Sequence, residues 1–489
     1  MKFAELTKGI DGRRSAIADP VVNGLSIDSR TLLPGDVFIC MPGHRHDSHA
    51  FIAQAAAKGA IGVVAHTAGG AEESIRLGLP VLLVRPEDVA TVSALLARRT
   101  YGDALASLQI VGITGTNGKT TTAWILTQAL QQLGHSAGYL GTLGTYVDHV
   151  WTPGENTTPN AVPLAREMAT WSERGVEYAV MEVSSHALAE QRVDALSFSA
   201  VVFTNLTQDH LDYHGTMEAY REAKHRLFFD RALHRDDARF VLNVCDPVGR
   251  EWADALPGAV RYGCCPLADR RCEIVEATAS GLIIELEGIR LSSRLAGRFN
   301  AENLGAAYAT LVALGVEPSR AVDVLAQVEP ARGRFESIPN ERGFGVIVDY
   351  AHTPDAISSL LTAARDLQPQ RVVIVVGCGG DRDRTKRPLM AQAAVAGADL
   401  AIFTSDNPRS EDPDRILDDM DAGLADHSRR LRIVDRRQAI YRAIELAAPG
   451  DVVLIAGKGH ESVQVVGDHA TPFDDAEVAR EALQSGSVP

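Results

Sequence analysis

Residues 108–126 read LQIVGITGTNGKTTTAWIL, and the organisation of the whole chain follows from this stretch. An apolar, β-branched run (108–114) enters a turn built on Gly115 and Gly118. A segment of helical character then begins at Lys119 and Thr120. Strand, glycine turn and helix start together make a phosphate cradle, because the turn's backbone N–H groups and the helix N-terminus point at anionic oxygens. In such a loop Lys119 reaches the β- and γ-phosphates, and the Thr120 hydroxyl holds Mg²⁺. The long G-x-x-x-x-G-K-[ST] spacing is not met, since Ile113 stands where its first glycine would be.

Outward from this loop, short β-branched runs alternate with helix-length segments, the pattern of parallel sheets covered by helices. Strands are predicted at 25–28, 36–40, 60–65 and 81–84, then at 108–114, 178–183, 200–205 and 240–244. Residues 272–292 alternate like a small β-rich segment ahead of a helix at 301–314. A last series of strands falls at 346–350, 371–376, 400–405, 431–434 and 452–456. The expected class is α/β with three domains: a smaller N-terminal domain (1–105), a central P-loop-type ATPase sheet (106–336) and a C-terminal Rossmann-like sheet (337–489). In open α/β sheets ligands bind beyond the carboxyl ends of the strands. Here those ends carry GTNGKTTT, SSHA and TNLTQDHLDYHG in the middle block, and AHTPD, GCGGDRDR, DNPR and GKGHE in the last. A ligand crevice served by the middle and last blocks is the expectation.

Composition bounds the alternatives. A chain of 489 residues at roughly 150 per domain suggests about three domains. With 45% apolar and 23% charged residues it is neither disordered nor a disulfide scaffold. A net charge of −15 argues against a general nucleic-acid binder, which needs clustered Lys and Arg, but leaves local anion sites open. Six cysteines without a C-x-x-C pair, an N-terminus lacking a signal-peptide core, and apolar runs shorter than roughly 18 residues point to a reduced, soluble, cytoplasmic protein with no membrane or nucleic-acid partner.

Further reactive groups cluster after the middle strands. Glu182 ends a buried run and faces the loop as a Mg²⁺ ligand or water-positioning group. Asp209, His210, Asp212 and His214 could assemble a zinc-like set, although hard oxygen donors beside a phosphate loop favour Mg²⁺. From composition alone, Lys224 in AYREAKHRLFF is a solvated lysine on a helix face.

The ordered set GTNGKTTT, EVSSHAL, TNLTQDHLDYHG, YREAKHRLF, GRFNAENLGAA, GRFE, VDYAHTPD, GCGGDRDR, DNPR and GKGHE resembles the Mur ligase family over residues 25–475. That family uses a short G-x-x-G-K-T loop, which accounts for Ile113. The resemblance implies three domains and a monomer. It also implies ATP-dependent amide-bond formation through an acyl phosphate, in the synthesis of peptidoglycan precursors. It assigns Gly115, Thr116, Asn117, Gly118, Lys119, Thr120 and Thr121 to ATP, with Asn300 and Asn303 on the adenine side, Arg334 near the γ-phosphate and Asp349 at the ribose. Thr120, Glu182, His210 and a carbamylated Lys224 surround Mg²⁺, and Lys119, Glu182, His210 and Lys224 are the implied catalytic groups.

For a UDP-N-acetylmuramoyl-L-alanyl-D-glutamate substrate the matching positions are Ile27 and Ser29, the His44-Arg45-His46 loop, Asn156, Thr157, Thr158, Ser184 and Arg192. Glu190 stands where relatives often carry Gln and is left out of the site. DNPR accompanies meso-2,6-diaminopimelate in the family. The implied pocket is Arg382, Asp406, Asn407, Pro408, Arg409, Gly457 and Glu461. The extra carboxylate of diaminopimelate suits an arginine fork, and Glu461 suits the distal ammonium. The competing readings are a folate ligase, a lysine-adding relative, and a P-loop switch without amide chemistry. None of these accounts for DNPR, GKGHE and Arg382 together.

Overall fold

The structure is a computed structural model that describes residues 1–15, 17–43, 47–422, 424 and 428–485. The chain divides into two compact units, Met1–Arg261 and Tyr262–Pro489. Each is α/β, as the alternating pattern predicts.

The first unit holds two sheets. The smaller is ordered Arg13–Arg14, Val81–Leu83, Gly62–Ala65, Asp36–Ile39, Gly24–Ser26, and is parallel apart from the first, edge strand. Phe38, Ile52, Val63 and Val81 form part of its core. The long helix Val89–Ser107 leads from it into the second sheet. Asp36, almost fully buried, is held by a two-pronged ion pair with Arg166 (3.0 and 2.8 Å), which removes the cost of an isolated buried charge.

In the second sheet the parallel strands run in the order His234–Asn243, Phe198–Phe203, Gln109–Thr114, Tyr178–Glu182, Ala137–Gly141. The antiparallel strands Gly144–Val147 and Val150–Thr152 follow at the edge. Central parallel strands are buried on both faces, so they read as continuous apolar runs rather than alternating ones. The glycine-loop strand lies between Tyr178–Glu182 and Phe198–Phe203, with Ile113 opposite Glu182 and Thr114 opposite Phe203. This register brings three reactive strand ends side by side.

In the second unit, the segment expected to be β-rich is an antiparallel meander of Arg270–Thr278, Gly281–Leu286 and Ile289–Ser293, packed on the helices Asn300–Ala313 and Pro318–Leu325. Its main sheet is ordered Glu336–Ser337, Gly345–Asp349, Val452–Ala456, Val372–Cys378, Leu400–Ser405, Arg430–Arg432, parallel beyond its first strand. One face packs Ile357, Leu361, Met390 and Ile416; the other packs Ile440, Ile444 and Val478. A two-stranded hairpin, Val463–Val466 with His469–Pro472, lies outside this sheet and was not expected from the sequence. No described helix is long and apolar enough to cross a membrane.

Candidate active site

The phosphate loop is shaped by two glycines and braced by the next strand. Gly115 (φ +151°) and Gly118 (φ +84°) adopt backbone conformations that L side chains avoid, and a side chain at Gly115 would also run into Thr204 and Asn205. The Thr116 amide donates to the Asn205 carbonyl (2.8 Å) and the Asn117 amide to Asn205 Oδ1 (2.9 Å). Thr204 Oγ1 donates to the Asn117 carbonyl (2.6 Å). Gly118 then caps the helix Lys119–Gln132. Lys119 Nζ folds back onto the carbonyls of Gly115 (2.9 Å) and Thr116 (2.8 Å), while Thr121 is buried in the first helical turn.

Glu182 is fully buried at its strand end. It accepts from Tyr139 Oη (2.6 Å), the Thr142 amide (2.8 Å), Thr142 Oγ1 (3.1 Å) and Thr120 Oγ1 (2.9 Å). A carboxylate oxygen is thereby fixed beside the Thr120 hydroxyl. That hard-oxygen pair fits Mg²⁺.

Lys224 corrects the reading of a solvated helix face: it is 1% exposed. It lies on the buried stripe of helix Met217–Phe229, with Tyr220, Ala223, Leu227 and Phe228. Its Nζ donates to the Gly115 carbonyl (2.8 Å), the same oxygen Lys119 uses, and sits 4.6 Å from the centre of the Tyr220 ring. Burial first, and the Lys119 charge second, hold Lys224 well below the usual lysine range.

His210 follows in a left-handed conformation (φ +53°) before the short helix Leu211–His214. Its ring packs against His186 (centroids 4.9 Å), and His214 bonds Ser185 Oγ (3.0 Å). Burial lowers the pKa of both His186 and His214, favouring neutral imidazoles.

The residues matched to the UDP-muramoyl dipeptide fall into two groups. Ile27 and Arg192 line one small pocket together with Met41, Ser93, Asn160 and Glu190. Ser29 is buried on Gln54 (2.9 Å). Thr158 is a junction: its Oγ1 donates to the Glu182 carbonyl (2.9 Å) and accepts the Ser184 amide (3.1 Å), and its carbonyl takes Arg192 Nη1 (2.9 Å). Thr157 Oγ1 meets Thr142 Oγ1 at 3.1 Å, and Asn156 is exposed. Glu190, set aside on sequence grounds, sits on the pocket wall and pairs with Arg192 (2.6 Å) and Tyr213 Oη (3.1 Å). His44, Arg45 and His46 lie outside the described residues. Nearby, Asp47, His49 and His66 bring ligand-type atoms within 4.8 Å of one another. His49, however, is committed to its own turn, with Nδ1 on Asp47 (2.5 Å) and Nε2 accepting the His66 amide (3.1 Å).

In the second unit, Asn300 and Asn303 are buried. Asn300 Nδ2 donates to the Ala296 carbonyl and Asn303 Nδ2 to Asn300 Oδ1, both at 2.7 Å. Asp349 accepts the amides of Phe335 and Ala351 (2.8 Å each), and its pKa is raised because burial outweighs the Arg334 charge. The Arg334 guanidinium lies 5.2 Å from the Tyr350 ring centre.

The DNPR turn follows strand Leu400–Ser405. Arg409 takes a left-handed backbone (φ +50°) and lays Nη1 on the Gly380 carbonyl (2.9 Å). Pro408 packs its carbonyl where a side chain on Gly380 would have to go, and a side chain at Gly457 (φ +117°) would close on Asp406. Arg382 is exposed on the facing loop. That loop is held by Arg387, which is fully buried and bonded to Glu411 (2.6 and 2.9 Å) and Asp419 (2.8 Å). Glu411 also takes the Asp381 amide (2.6 Å), and the Arg387 pairing pulls its carboxyl down to about 2. Asn407 Nδ2 donates to Glu461 Oε2 (2.8 Å). Sequence reasoning missed Tyr139, Thr142 and Asn205 in the first unit, and Arg387, Glu411 and Lys458 in the second. Apart from the local Lys458–Glu461 pair, each is joined to its partner only through the fold.

Profiles described as Mur ligase family, catalytic domain, Mur ligase middle domain, and Mur ligase, glutamate ligase domain match residues 21–101, 113–311 and 333–459. The chain is 44% identical over 475 residues to the UDP-N-acetylmuramoyl-L-alanyl-D-glutamate–2,6-diaminopimelate ligase of Geobacillus thermodenitrificans, covering 95% of this chain and 96% of that one. It is 40% identical to the protein of the same name from Syntrophomonas wolfei, with 99% of each chain covered. A solved structure of a ligase of that name superposes with a TM-score of 0.69 at 33% identity, covering 99% of each chain. A MurF ligase from Thermotoga maritima in complex with ADP shares the fold at 19% identity (TM-score 0.61; 96% of this chain, 99% of that one).

Proposed function

Since the chain belongs to the Mur ligase family, we propose that it is the ATP-dependent ligase that joins meso-2,6-diaminopimelate to the D-glutamate of UDP-N-acetylmuramoyl-L-alanyl-D-glutamate, in peptidoglycan precursor synthesis. The observation that carries this reading is the DNPR turn, in which Arg409 and the Glu461–Asn407 pair stand on one strand edge. Diaminopimelate differs from lysine by a carboxylate on the distal carbon. A guanidinium binds that group in two-pronged fashion, while a carboxylate takes the ammonium beside it.

The chemistry assigned to the first unit is carboxylate activation. A carboxylate oxygen attacks the γ-phosphorus of ATP and ADP departs, leaving an acyl phosphate. The amine of diaminopimelate adds to its carbonyl carbon, and the tetrahedral intermediate expels phosphate to leave the amide and release a proton. Both partners of the first step are anions, so Lys119 has to move from its two carbonyl partners onto the phosphates. Thr120 and Glu182, with His210, would hold Mg²⁺, which supplies charge neutralisation for the phosphoryl oxygens. Burial keeps Lys224 toward its neutral amine, the form that takes up CO₂ to become the carbamate the family uses. Lys224→Ala is expected to lose activity that short carboxylates partly restore; full activity without them would refute the carbamate.

The division 1–105, 106–336 and 337–489 into nucleotide-sugar, ATP and amino-acid domains belongs to this proposal. So does a monomeric, cytoplasmic enzyme, a setting in keeping with six cysteines that form no disulfide among the described residues. The test is phosphate release with the UDP-dipeptide and a panel of amino acids. Release is expected to require meso-diaminopimelate, and equal release with lysine would overturn the specificity.

A further inference from the structure

Lys458, in the loop after strand Val452–Ala456, is fully buried. A buried ammonium is tolerated only when paired. Its Nζ donates to Asn407 Oδ1 (3.0 Å) and Glu461 Oε2 (3.1 Å). Asn407 Oδ1 also accepts the Val465 amide (3.0 Å). An ammonium has donors only, so it fixes which way the Asn407 amide faces. The oxygen turns to Lys458 and Val465, and the NH₂ is left for Glu461.

The same contacts reach the arginine. The hairpin that contains Val465 takes the Arg409 amide on the Val465 carbonyl (3.0 Å), and its Gly467 amide donates to the Arg409 carbonyl (2.6 Å). Gln464 Nε2 donates to the Asp406 carbonyl (2.8 Å). These bonds hold Arg409 in a left-handed backbone that a non-glycine residue adopts only when its surroundings impose it. Lys458 is therefore bonded at once to the acid and to the amide that anchors the hairpin over the arginine.

We propose that Lys458 is a positioning residue for amino-acid selection. Through Glu461, and through Asn407 and the hairpin, it sets the spacing between a carboxylate and a guanidinium that a ligand with an ammonium and a carboxylate on one distal carbon would span. This rests on the amino-acid reading above.

The test uses the full chain and Lys458→Met, which keeps length and removes charge and donors. The KM for diaminopimelate is expected to rise on the order of 10-fold or more, with the KM for ATP and for the UDP-dipeptide within about twofold of wild type. The preference for diaminopimelate over lysine falls with it. In a double-mutant cycle, Lys458→Met and Glu461→Gln are expected to be less than additive, since each breaks the same contact. Lys458→Gln, which keeps a donor without the charge, falls between and serves if the methionine variant does not fold. An unchanged diaminopimelate KM, or all three KM values rising together with a lower Tm, overturns the proposal. Wild-type protein that releases phosphate regardless of amino acid would instead refute the amino-acid reading itself.

Discussion

The two reactive strand edges are built on opposite electrostatic plans. At the phosphate loop, Lys119 and Lys224 converge on one carbonyl oxygen, that of Gly115, and the buried Glu182 is surrounded by hydroxyls and an amide. At the DNPR edge, opposite charges are already paired: Arg387 with Glu411 and Asp419, Arg436 with Asp475, Lys458 with Glu461. The first arrangement gathers two lysine amines and a buried carboxylate at one loop, where arriving phosphate and cation would engage them. The second is a pre-paired scaffold from which Arg382 and Arg409 are presented. Groups that act on a developing charge gain from partners they can exchange for it, whereas groups that measure a ligand gain from being held still.

The largest effect expected from this contrast is on stability, at the paired edge. Arg436 and Asp475 are both fully buried and bonded at 2.5 and 2.7 Å. Arg436→Met strands a buried carboxylate and should cost about 3–5 kcal/mol, seen as a drop in Tm on the order of 10 °C. The KM for ATP should stay unchanged in the residual folded enzyme. Adding Asp475→Leu should recover much of the loss; failure of the double variant to recover would show that packing, not charge, is at stake.

Next comes Lys119→Ala, expected to lower kcat about 10²–10³-fold while leaving Tm within a degree or two of wild type. A large fall in Tm would mean that Lys119 is structural, and the contrast between the edges would break.

The smallest effect is at Glu411. Its carboxyl is depressed from 4.5 to about 2 by Arg387. A carboxyl with a lowered folded pKa contributes stability above its unfolded pKa and loses it as the pH falls through the folded value. Glu411→Gln should therefore cost about 2 kcal/mol at pH 7, and the gap to wild type should close between pH 4.5 and about 2. Urea unfolding at pH 7, 4 and 2.5 measures it, and a gap constant with pH would contradict the ionic role.

Much of this was legible in the sequence because it is local. The run 108–126 carries its strand, glycines and helix start in consecutive residues, and the structure reproduces them as Gln109–Thr114 and Lys119–Gln132. The strand ends that bear Glu182 and DNPR were equally plain, since fully buried parallel strands read as apolar runs. Lys224 was misread from composition, although a signal existed. Tyr220, Ala223, Leu227 and Phe228 recur at helical spacing, and Lys224 falls on their stripe.

Asn300 and Asn303 lie on a helix that is buried on nearly every side. The clamps on Glu182 come from Tyr139 and Thr142, some 40 residues away in sequence. No spacing rule reports such a pairing. The hairpin over Arg409 has mostly exposed strands, so it lacks the alternation that marks a half-buried one.

In the proposed reaction the phosphate edge activates a carboxylate which an amine, rather than water, then captures. With the D-glutamate side-chain carboxylate of the UDP-dipeptide labelled with ¹⁸O, turnover in the presence of ATP and meso-diaminopimelate should transfer one labelled oxygen to each phosphate released, in step with amide formation. Phosphate that carries no label would mean that water attacks ATP directly, and would contradict the acyl phosphate and the division of labour between the two edges.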